Sequence, residues 1–309
     1  MVNPVLITGA NGFIGRQLTR SISAMGIPVV GIGHGAIAPG DQKKLGLSEW
    51  VNGDVDHANL QELGKRIGRF ECVFHLAGGS HVGRSFQNPA EDFHRTVTAG
   101  SQLLEWSRLN CPATPIIITS SAAVYGTGHS GPISEETLLT PFSPYGAHKA
   151  ILESLAKSYC QNFGLKIAVA RLFSVYGEGL EKQLVFDLCQ KLSHSNGEIQ
   201  LGGTGDELRD WIHVTDVAKL LWLAKDHCST DCFVVNGGRG VGTSVADVVR
   251  LVAAAWGSEV RLAFSGDSRR GDPQSLVADV QRSKTIAFEP SVSEAGFKRV
   301  VDWYQSVRK

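Results

Sequence analysis

Thr8-Gly9-Ala10-Asn11-Gly12-Phe13-Ile14-Gly15 joins the apolar run 5–8 to the amphipathic stretch 13–25. Read as strand, turn and helix, this segment assigns each glycine a task. Gly9 permits the tight turn, Gly12 lets backbone approach a pyrophosphate, and Gly15 lets the helix pack closely on the sheet. The unpaired N–H groups and partial positive charge of a helix N-terminus favour an anion there. With 35 glycines in the chain, spacing alone is weak. The position between strand and helix gives the motif its weight.

Outward from the turn, further apolar runs fall at 29–32, 73–76, 116–120 and 167–172. They lack period-2 alternation, as strands covered on both faces do. Amphipathic stretches separate them: 13–25 stops at Gly26, one opens at Pro89 and continues to 108, and another runs from Pro144 to about 162. This alternation predicts an α/β chain with a doubly wound parallel sheet. Beyond Arg171, glycine-rich turns at 177–179, 202–205 and 237–242 mark a smaller C-terminal lobe with helices near 182–192, 244–256 and 301–307. The expected division is 1–172 plus about 211–243 for the dinucleotide-binding part, and about 173–210 with 244–309 for the substrate lobe.

Composition narrows the function. The 309 residues carry 30 Lys+Arg and 30 Asp+Glu. A zero net charge excludes a protein that works by coating nucleic acid or an acidic membrane. The N-terminal run does not read as a signal peptide, and no stretch is long enough to span a bilayer. The 6 cysteines are scattered without metal or redox spacing, and the histidines (His81, His129, His148, His213) show no ligand spacing, so no metal site is expected. Reduced thiols and a cytoplasmic location are the expectation.

Three residues carry chemistry. Tyr145 and Lys149 stand i,i+4 on one helix and share a face. A free phenol, with a pKa near 10, is a poor acid or base at neutral pH; a nearby ammonium favours the phenolate. Ser121 ends the run 116–120 at the sheet edge where ligands bind, within reach of the same substrate oxygen. Hydride transfer at an alcohol or carbonyl carbon, with Tyr145 moving the proton, fits the three. Asp54 and Val55 follow a short third strand beside the adenine. Leu76, Ala77 and Gly78 let a dinucleotide cross the sheet edge, and His75 reads as a core histidine.

The segments TGANGFIG, HLAGGSHVGRS, TSSAAVYG, SPYGAHK, RLFSVYG, RDWIHVTDVA and RRGDP, in this order, resemble the extended short-chain dehydrogenase/reductases of the nucleotide-sugar epimerase/dehydratase family. The resemblance implies a Rossmann-type domain for a nicotinamide dinucleotide and a lobe for a nucleoside-diphosphate sugar. It gives Ser121, Tyr145 and Lys149 the catalytic roles, with Lys149 also on the nicotinamide ribose. Arg209 and Arg269 fall where the family clamps diphosphate or nucleotide. Ser80, His81 and Ser174 fall in the sugar site, Ser174 in place of the usual asparagine. A flap at 178–182 and a homodimer through four helices also follow, with Phe93, Val97, Gly100 and Leu104 on one helix and Ile151, Leu155 and Tyr159 on the other.

Two departures bear on the reaction. Ala122 and Ala123 stand where the 4,6-dehydratases carry an Asp-Glu pair, so dehydration is not expected. Strand two ends in Gly31-Ile32-Gly33-His34-Gly35, without the carboxylate that binds the ribose 2′-hydroxyl of NAD. His34 can donate to a 2′-phosphate, so NADP is the expected cofactor and NAD the alternative. NADPH-dependent reduction of a 4-keto-6-deoxy sugar nucleotide is then the leading expectation. A 4-epimerase with tightly bound NAD stands close behind it, and a non-catalytic NADP sensor follows.

Overall fold

The computed structural model describes residues 2–194, 197–257, 260–267, 273–292 and 295–308. The strands in chain order are β1 (Val5–Thr8), β2 (Val29–Gly33), β3 (Leu47–Asn52), β4 (Val73–His75), β5 (Ile116–Ser121), β6 (Ile167–Leu172), β7 (Ser174–Tyr176), β8 (Glu198–Leu201), β9 (Leu208–His213), β10 (Phe233–Gly237), β11 (Gly242–Ser244), β12 (Arg261–Phe264) and β13 (Ser275–Leu276). Seven form one all-parallel sheet in the order β10-β6-β5-β4-β1-β2-β3. The strand order reverses direction between β1 and β4, and ligands bind at the carboxyl ends of such a pair.

Alternate residues along β1 explain the two covered faces. Val5 and Ile7 enter one apolar layer with Phe74, Ile117, Leu18 and Ile22 of helix α1 (Phe13–Ser23), and Val217 and Leu221 of the helix Val214–Ala224. Leu6 enters the other, with Ile116, Ile118, Leu60 and Leu104. All are buried. A parallel sheet needs apolar side chains on both faces, which is why these strands read as unbroken apolar runs.

From 211–243, β10 joins this sheet and the helix Val214–Ala224 packs against it. The strand β9 pairs with β11, β13 and β7 in a separate four-stranded sheet. A third layer gathers Tyr176, Phe186, Val249, Phe297 and Tyr304 under the second sheet. The rings of Tyr176 and Phe297 stack at 4.3 Å between centroids.

The stretch opening at Pro89 is also not one helix. It runs as Pro89–Phe93, a π-turn His94–Thr98, and Ala99–Asn110. π-turns insert one residue and collect at functional sites. No described helix is long and apolar enough to cross a membrane.

Candidate active site

The turn after β1 adopts the geometry its glycines allow. Gly9 has φ 72°, and a Cβ there would lie 2.9 Å from the Ala77 nitrogen. A methyl group on Gly15 would collide with the Gly9 carbonyl. Helix α1 starts at Gly12 with no side-chain cap, so its first-turn N–H groups remain available to an anion. The cradle suits a dinucleotide pyrophosphate. It opens into a cleft of about 1810 Å³ lined by Gly9, Asn11, Gly12, Phe13, Ile14 and Gly15, by Leu76, Ala77 and Gly78, and by Asp54 and Val55.

Ser121, Tyr145 and Lys149 line the same cleft. Tyr145 and Lys149 project from the helix α2 (Pro144–Phe163), which Ser143 caps by accepting from the Gly146 nitrogen at 3.1 Å. Ser121 shares a hydrogen bond with the Tyr145 hydroxyl. Lys149 donates to the Thr119 carbonyl at 2.9 Å. Burial pulls the ammonium down to about 8, against the upward pull of Asp92 and Glu153. Burial pushes the Tyr145 phenol up, while the hydrogen bond to Ser121 pulls it down. The direction differs from the simple expectation of a lowered phenol, because Lys149 is turned to a carbonyl and desolvation dominates.

Around the trio lie groups the sequence did not single out. Asp92 is buried and shares a hydrogen bond with His148 at 2.6 Å. Within the π-turn, Thr96 accepts from the Gly79 nitrogen at 2.9 Å, fixing the loop after β4. His75 is a core histidine, bonded to Thr8 at 2.8 Å, and burial with Lys149 nearby drops it to about 3. An aspartate on a helix and a threonine three residues beyond an aromatic look like any helix surface, so no sequence signal marked them.

At the adenosine end, His34 meets Asp54 at 3.0 Å. On the substrate side, Ser80, His81, Ser174 and Arg209 all line the cleft. Arg209 donates to the Pro273 carbonyl at 2.7 Å, and Arg269 lies outside the described residues. The segment 178–182 is hydrogen-bonded at both ends. Glu178 accepts from His213 at 2.9 Å and Arg299 at 2.8 Å, and Lys182 donates to Ser80. Burial raises Glu178, but those hydrogen bonds bring it down to about 2.

The helix stripes expected at a dimer interface divide. Gly100 packs against Leu152, and Val97 and Leu104 are buried within the chain. Phe93 and Ile151 stay 42% and 41% exposed.

Comparison with known proteins agrees with this geometry. The chain is 32% identical over 297 residues to a UDP-glucose 4-epimerase of Azospirillum brasilense, covering 90% of this chain and 84% of the relative. The UDP-glucose 4-epimerase of Thermotoga maritima, solved with UDP-glucose, superposes with a TM-score of 0.89 at 26% identity, over 99% of this chain and 100% of that one. The Thermus thermophilus UDP-glucose 4-epimerase, solved with NAD, gives 0.85 at 25% identity, over 98% and 99%. Residues 5–235 match the NAD dependent epimerase/dehydratase family. The chain belongs to that family, among the nucleotide-sugar enzymes of the extended short-chain dehydrogenase/reductases.

Proposed function

We propose that the chain is a UDP-sugar 4-epimerase that retains NAD through turnover. The observation that carries this reading is one continuous cleft in which the glycine turn, Ser121, Tyr145 and Lys149 meet the wall of the second lobe. Ala122 and Ala123 follow Ser121, so no acid–base pair is present to eliminate water. The relatives favour epimerisation over the reduction that leads the sequence reading. NAD is favoured over NADP because the matching family is NAD dependent and the Thermus thermophilus relative was solved with NAD.

Bound in the cradle, the nicotinamide supplies a hydride acceptor that becomes a donor. Tyr145 takes the proton from the 4-hydroxyl as carbon 4 becomes a carbonyl, and returns it when the hydride comes back to the other face. Ser121 hydrogen-bonds the same oxygen. Lys149, one helical turn along, is the cation available to favour the phenolate and also holds the nicotinamide ribose. Ser80, His81 and Ser174 face the sugar, and Arg209 faces the diphosphate, as guanidinium geometry suits. Phe93 and Ile151 are proposed as the exposed part of a twofold homodimer interface built from helices.

Purified protein given UDP-galactose and no added cofactor is expected to form UDP-glucose, and to release NAD on denaturation. Turnover that requires added NADPH and yields a reduced sugar would replace this reading with a reductase. Dinucleotide binding without turnover of any sugar nucleotide would leave a sensor.

A further inference from the structure

A nucleoside-diphosphate hexose carries negative charge on its diphosphate and, when the sugar is a uronic acid, on the carboxylate at carbon 6. The cleft presents cations attached to different elements. Arg209 sits on β9, held by the Pro273 carbonyl. Lys182 instead reaches the loop after β4, donating to the Ser80 hydroxyl at 2.8 Å and the Ser80 carbonyl at 3.2 Å. That loop is fixed to the helix bearing Tyr145, whose backbone nitrogen donates to Ser85 at 3.0 Å. Lys182 lines the same cleft as Ser121 and Tyr145.

Among the described residues, Lys182 has only neutral oxygens as partners. The carboxylates around it are engaged elsewhere. Glu178 holds His213 and Arg299, and Glu181 faces Arg308 at 3.8 Å. Burial pushes the Asp187 carboxyl up, with Lys191 and His81 pulling it down. Arg84 adds like charge, and with burial it lowers the Lys182 ammonium. The following residue, Gln183, has φ 68°. Side chains rarely enter that left-handed region, and such strain concentrates at ligand-binding segments. A half-buried ammonium without a counter-charge is costly, and an arriving carboxylate would offset that cost. A sugar hydroxyl would not.

We propose that Lys182 and Ser80 form a carboxylate-recognition site, and that the preferred substrate is a nucleoside-diphosphate uronic acid. This rests on the epimerase reading for its reaction and adds the substrate class. The test compares UDP-glucuronate with UDP-glucose in wild type, Lys182→Met and Ser80→Ala, with epimers resolved by anion-exchange chromatography. Wild type is expected to favour the uronate in kcat/KM, and Lys182→Met to lose about 30-fold or more of uronate turnover, far beyond its loss on the hexose. Lys182→Arg is expected to recover part of it, and Ser80→Ala to lower the same preference by a smaller factor. Equal losses on both sugars, or a wild-type preference for the hexose, would overturn the assignment. So would a fall in affinity for UDP alone in Lys182→Met, which would place the lysine on the diphosphate. If wild type epimerises neither sugar, the reaction reading fails by itself. Calorimetric binding then still decides the site: tighter uronate than hexose supports it, and equal affinities reject it.

Discussion

Tyr145 and Lys149 show how burial and a short list of partners set the chemistry of single side chains. Tyr145→Phe removes the proton carrier and little else. Turnover is expected to fall by about 10²–10⁴-fold, with NAD still bound by fluorescence titration. Lys149, at 4% exposure, is held near 8 in the folded protein against an ordinary 10.5. Between those values the unfolded chain binds more protons, so this group makes stability rise with pH from about 8 to 10.5. Lys149→Met is therefore expected to be the more stable protein at pH 7, by at most about 3 kcal/mol, with the gap closing by pH 10.5. Thermal melts of the dinucleotide-free forms across that range check the sign. Ser121, Tyr145 and Lys149 were legible because their spacing on one helix and one strand end is local. Asp92 with His148, and Lys182 with Ser80, lie 56 and 102 residues apart, and no local pattern announces such meetings.

Elements carry the next constraint. The helix bearing Tyr145 is anchored to β6 by Arg171, which donates to Glu153 at 2.7 Å and to Tyr125 at 3.0 Å, all buried. Removing one partner of such a pair strands a charge. Glu153→Ala is expected to lose about 3–5 kcal/mol in urea unfolding, and a loss below 1 kcal/mol would deny the anchor. At α1, Gly15→Ala forces a methyl group into the Gly9 carbonyl. Weakened NAD retention is expected, with a stability cost of about 1–3 kcal/mol. The parallel strands were legible because both their faces are apolar. The place of β9 in a second sheet was not legible, because strand character is readable locally, whereas the choice of partner is not. The π-turn was missed because one inserted residue barely changes a helical period.

For the whole molecule, the cleft closes only where the glycine turn of one sheet faces the lobe built on the other. The end-to-end order of motifs made that architecture readable, while the assembly state depends on surfaces. Val97, Gly100 and Leu104 of one expected stripe are buried, and Leu155 and Tyr159 of the other pack on the core, leaving Phe93 and Ile151 exposed. Sedimentation is expected to give a dimer at micromolar concentration, and Ile151→Glu a monomer. A wild-type monomer would remove the interface. The central claim, that hydride leaves carbon 4 and returns to it within one enzyme, is tested most directly with UDP-sugar deuterated at carbon 4. The label is expected to remain wholly at carbon 4 of both epimers, whatever dinucleotide is added. Deuterium found in free dinucleotide, or a product reduced at the expense of added NADPH, would contradict it.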